Sequence, residues 1–214
     1  MKSSRYLMIV FFGTLVPTYP GTTALAEGPE TVQTLVLIVE NKAAIAEDIL
    51  EGAREHVERI YRHSGIQIIW SAEGRKPSPR DALQLTVVIV PECFNRNICQ
   101  SNSAMGSAVG AEGQGAKRAY IFADRVFILI LWGFVKRMPI VHPEALIMGH
   151  VIAHEVGHLM LPSPGHTDDG LMRAELNLHN IEEALRGDLL FTSWQEEQMR
   201  LVLKNYRVGD GKAN

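Results

Sequence analysis

His154-Glu155-Val156-Gly157-His158 is an H-E-x-x-H motif. It lies in a stretch, Pro143 to Leu161, whose apolar content and flanking prolines predict a helix. Residues four apart on a helix differ by about 40° in angle and about 6 Å in rise. Both imidazoles therefore leave the same face and can reach one divalent ion at bond lengths of about 2.0–2.1 Å. Glu155 stands beside them without being a ligand, which is where a carboxylate must be to take a proton from water activated by a metal. The chemistry these types and spacings imply is zinc-assisted hydrolysis, with one catalytic Zn2+ and Glu155 as general base.

A catalytic zinc usually takes three protein ligands and a water. His150 lies one turn before the motif, but eight residues separate it from His158, about 12 Å of helical rise, too far for both to bind one ion. It reads as a residue lining the cleft or a hydrogen-bonded core histidine. His166 follows the break Pro162-Ser163-Pro164-Gly165, which lets the chain turn back towards the metal. Its neutral imidazole is the commonest type of ligand. Glu175 is the rival third ligand. Asp168, Asp169 and His179 read as a solvated turn and a surface residue. Met172 either forms a turn beneath the site or serves as an adaptable core side chain. His142, Tyr120 and Arg173 are polar groups able to stabilise an oxyanion, and the sequence does not select among them.

The elements that must position these residues have their own patterns. Thr34 to Glu40 is a continuous apolar run that predicts a buried strand. From Ala43 to His63 the apolar residues Ile45, Ile49, Ala53, Val57, Ile60 and Tyr61 recur at helical steps, and Ser64-Gly65 supplies the stop. Ile66 to Trp70 and Leu83 to Val90 predict two further strands on either side of a Pro-rich, charged loop. Ser101 to Gly115 is glycine-rich and precedes a strand-like Ala119 to Ala123. Such a stretch marks a sheet edge able to hold an extended peptide by strand addition, with Gly110 and Gly113 in contact with substrate, or else a surface loop without a role. Val126 to Val135 is too short to cross a bilayer and reads as a buried helix or strand. Ser193 and Glu196 form a capping box for a last helix running to about Tyr206.

The start of the chain reads as an export signal. Lys2 and Arg5 precede an apolar run, and Ala24-Leu25-Ala26 supplies a small-x-small cleavage site. Residues 1–26 are then a signal peptide, and 27–214 form one domain with no membrane span. Export to the periplasm or the medium puts Cys93 and Cys99, the two cysteines of the chain, in an oxidising compartment where they pair. A formal charge of −3 gives no general attraction to nucleic acid or anionic membrane.

His154-Glu155-x-x-His158, the nearby His166 and Gly170-Leu171-Met172, set in this order of strands and helices, resemble the zincin metallopeptidases in a compact metzincin-like form. They also resemble small exported bacterial proteins with an H-E-x-x-H helix and a following G-[IL]-M turn. The chain departs from the metzincin pattern H-E-x-x-H-x-x-G-x-x-H. Leu161 stands at the glycine position, Pro164 at the histidine position, and His166 comes two residues later. The resemblance implies an α+β fold: a small twisted mixed sheet of about four to five strands on two long helices, the second carrying the motif, plus a C-terminal helix. It also implies a zinc-dependent endopeptidase acting on peptides or proteins. The alternative is an inactive zinc-binding relative that recognises a partner, and activity at intact zinc occupancy separates the two.

Overall fold

Four apolar segments of the chain pair side by side in parallel. In the computed structural model these are β1 (Gln33–Asn41), β2 (Ile66–Ala72), β3 (Leu83–Val90) and β5 (Arg118–Phe122), while β4 (Gly106–Val109) adds antiparallel to β5. The five-stranded order is β2-β1-β3-β5-β4, so the glycine-rich stretch does supply an edge. The structure describes residues 32–75, 82–95, 98–99, 104–110, 117–131, 142–163, 165–175 and 177–210. The expected signal peptide, Gly113 and Pro164 lie outside them. No helix among the described residues is long and apolar enough to cross a membrane.

Parallel neighbours need a crossover, and α1 (Glu47–His63) provides it between β1 and β2. Leu35, Leu37, Leu85, Val87, Ala119 and Ile121 point from the sheet into one large core shared with α1 and α3 (Pro143–Met160). The alternate residues Val88, Val90 and Phe122 form a second, small cluster on the other face. Cys93 and Cys99 pack against it and are joined as a disulfide, with their Cα atoms 6.1 Å apart.

Several boundaries differ from the sequence expectation, each for a local reason. Helix α1 begins at Glu47, because the Asn41 side chain bridges the backbone N–H and carbonyl of Ile45, and Ala44 takes φ +53°. Ala123 ends no strand; it opens α2 (Ala123–Leu131), so the described part of the apolar run from Val126 is helical. An unforeseen helix, α4 (Leu178–Arg186), starts at a reciprocal Asn177/Asn180 cap and ends at Gly187 with φ +83°. The last helix, α5 (Ser193–Asp210), is capped one residue earlier than expected. Thr192 and Gln195 form the box, and the Glu196 carboxylate instead meets His63 and Ser64 at the end of α1.

Candidate metal centre

Helix α3 is buried at every position from Ala145 to Met160 except His154 and His158. An almost wholly buried helix with two half-buried imidazoles on one face has its one partly open side there, and burial leaves little freedom to its axis. Two contacts with α1 fix that axis. The buried Tyr61 hydroxyl donates to the Ala153 carbonyl at 3.1 Å, and a Cβ on Gly149 would lie 2.7 Å from His56 Cβ and 2.8 Å from the Ala53 carbonyl oxygen. The helices meet almost backbone to backbone, one turn before the motif.

The structure brings His154, His158 and His166 together. His158 Nε2 lies 3.0 Å from His154 Nε2 and 3.1 Å from His166 Nε2, and the ligand atoms of all three lie within 4.8 Å of one another. No other group of three or more such side chains converges in this way among the described residues. Glu175, the rival third ligand, is exposed and outside the group. His150 is buried instead, its Nδ1–H donating to the Leu146 carbonyl at 2.7 Å. Tyr120 stacks edge-on against Phe94 on the other face of the sheet, and Arg173 pairs with Asp169 at 3.2 Å.

The tautomer of His154 follows from its partner. A carbonyl can only accept, so Nδ1 carries the proton it donates to the Leu171 oxygen at 2.9 Å, and Nε2 is left with a lone pair. Burial first, then the neighbouring rings, holds His158 at a pKa of about 3; burial likewise lowers His154 to about 4, against the pull of the Leu171 hydrogen bond. Both are neutral imidazoles at physiological pH. One proton on His158 Nε2 could satisfy one neighbouring lone pair, not two. A cation satisfies all three, and the observed 3.0–3.1 Å separations approach the roughly 3.3 Å expected for nitrogens bound to zinc at tetrahedral angles. The donor set thus fits a divalent metal of borderline softness.

No family model and no curated protein matches the chain. Among solved structures, a zinc-dependent peptidase from Methanocorpusculum labreanum (strain Z) aligns with 14% identity and a TM-score of 0.49, over 77% of this chain and 99% of its own. Metalloproteinase-II from Bacteroides fragilis aligns with 12% identity and a TM-score of 0.46, over 82% of this chain and 55% of its own. Identity this low transfers no residue role, so the chemistry is read from this chain's own side chains.

Glu155 is buried, and burial raises its carboxyl to a pKa of about 8. A cation held next to it would oppose that shift. Its side chain lies beneath the edge strand: a Cβ on Gly106 would come within 2.5 Å of Glu155 Cγ and 2.7 Å of Oε1. Met172 is fully buried against Gly157, where a Cβ would meet Sδ at 2.7 Å, so it is at once core residue and turn residue under the motif. Sequence reasoning missed Gly106 and the Leu171 carbonyl. Gly106 stood within the glycine-rich stretch, but nothing local announced that a carboxylate from α3 would fill the space above it.

Proposed function

We propose that the protein is a zinc-dependent endopeptidase in which His154, His158 and His166 hold the metal and Glu155 is the general base. The single observation that carries this reading is the convergence of the Nε2 atoms of His154 and His166 on that of His158, with the buried carboxylate of Glu155 next to His154 on the same helix. A bound Zn2+ would lower the pKa of coordinated water from about 15.7 towards 7 and polarise a carbonyl. Glu155 would take a proton from the attacking water on a carboxylate oxygen and return it to the departing amine nitrogen. The Leu171 carbonyl would hold His154 in the tautomer that offers Nε2.

Strand β4 would bind substrate by adding an extended peptide to the sheet edge, which places a scissile carbonyl over the Glu155 side chain. Gly110, at φ +109°, follows the end of this strand and would admit the peptide backbone, and Gly113, outside the described residues, would continue the same contact. The remaining parts of the reading are a signal peptide over residues 1–26, one zincin-like domain from 27 to 214, and export to a compartment where the Cys93–Cys99 bond forms.

Glu155→Gln tests the assignment. The variant is expected to bind one zinc per chain with parental affinity and to lose peptide hydrolysis by at least 100-fold, measured on a peptide library with metal content determined on the same sample. Unchanged cleavage by Glu155→Gln would overturn the role of Glu155. Parental protein at full zinc occupancy that cleaves nothing would favour a non-catalytic, partner-recognising zinc protein.

A further inference from the structure

The segment 165–172 supplies three of the supports of the metal centre. It carries His166, its Leu171 carbonyl fixes His154, and its Met172 fills the space under Gly157. It has no regular secondary structure and must be held from outside. Leu171 N–H donates to the Leu190 carbonyl at 2.8 Å, which fixes the far end. Thr167, next to His166, is the anchor of the near end.

The hydrogen-bond directions around Thr167 are forced. The Thr192 N–H can only donate, so the atom of Gln195 that it meets at 2.9 Å is Oε1, which turns Nε2 towards Thr167 Oγ1 at 3.0 Å. Thr167 Oγ1 passes its own proton to the Asp169 carbonyl at 2.8 Å, and so receives the Gln195 proton on a lone pair. The Thr167 N–H then closes the turn on the Met172 carbonyl at 3.0 Å. Gln195 is wholly inaccessible to solvent, so water cannot replace either of its bonds without opening the structure.

From this chain of donors we infer that Gln195, through Thr167, is a positioning residue for His166: the capping box of the C-terminal helix also sets the third ligand of the metal centre. This rests on the metal reading above. His154 and His158 are fixed by a buried helix, whereas His166 is exposed and lies on a segment whose near end is tied to a buried amide. Loosening that amide leaves a two-histidine site with a wandering third ligand.

Two isosteric variants separate this role from simple stabilisation. Gln195→Glu keeps the oxygen that caps Thr192 but loses the donor to Thr167, and Thr167→Val removes the hydroxyl without changing side-chain size. Zinc affinity is measured on the full chain by competition with a chromophoric chelator, alongside Co2+ absorption, which reports ligand number, and thermal melting of the metal-free protein. Each variant is expected to bind zinc 10- to 100-fold more weakly, with a Co2+ spectrum shifted towards that of His166→Ala. Thr167→Ser should restore the parental value, and the double variant should be no weaker than the worse single one. Parental affinity in both variants, with His166→Ala weakened, would overturn the role of Gln195 and leave the metal reading intact. Weakened affinity matched by an equal loss in metal-free stability and an unshifted Co2+ spectrum would also overturn it. Failure of the parent protein to bind zinc would remove the metal reading and this inference together.

Discussion

Gly106 shows how strictly the site is built at the level of single atoms. Its missing side chain is the space that Glu155 occupies, so Gly106→Ala would drive a methyl group to 2.5 Å from Glu155 Cγ. The carboxylate must move, while the three imidazoles, anchored elsewhere, need not. The expected outcome is a fall in kcat of roughly 100-fold, the usual cost of a misplacement near 1 Å, with zinc content unchanged. A parental rate in Gly106→Ala would show that the edge strand does not set the position of the base. The types and spacing of His154, Glu155 and His158 are legible in the sequence because a helix fixes their geometry locally. His166 is legible only by its type. Its supports, the Leu171 carbonyl and the Thr167–Gln195 pair, depend on contacts between residues 17 and 28 positions apart, which no local pattern encodes.

Helices α1 and α3 carry the next level of constraint. The apolar steps of α1 and the buried run of α3 predict both elements, yet not that they touch at Gly149. Gly149→Ala would place Cβ 2.7 Å from His56 Cβ and 2.8 Å from a backbone oxygen, so the helices must separate. A loss of about 1–3 kcal/mol in unfolding free energy is expected, the range for overpacking a tight core, read from urea denaturation. Wild-type stability in this variant would mean that the contact yields freely. The elements missed or misplaced in the sequence share a cause. Helix α4 and the first turn of α5 are set by caps, Asn177/Asn180 and Thr192/Gln195, whose residue types also recur in ordinary loops. Ser193 and Glu196 offered the same spacing one residue later, and Glu196 was instead drawn to His63 and Ser64.

At the scale of the whole molecule, stability should depend on pH through His56 and His150 as well as through His154 and His158 of the candidate metal centre. His150 and His56 face each other across the α1–α3 contact, with ring centres 5.8 Å apart. Burial is the main cause that lowers both to a pKa of about 4, and Arg59, which donates to His56 Nδ1 at 3.0 Å, adds to it. An unfolded histidine takes up its proton near pH 6.5. Between about pH 6.5 and 4 the unfolded chain therefore binds protons that the fold refuses, and stability falls as pH falls through this window. Above it these two groups add no pH dependence. The loss is on the order of 2–3 kcal/mol for His150 and less for the more exposed His56. Urea unfolding at pH 7 and pH 5 checks it: His150→Leu should narrow the difference between the two, and an equally steep decline would assign it to other groups. The hydrogen bond from Gln195 to Thr167 also orders events in time. A ribosome delivers residue 167 well before residue 195, so a growing chain can display all three imidazoles before it can hold the last of them still. On the proposed reading, the third ligand would be held only after α5 has docked, which would make firm metal retention a late event of folding.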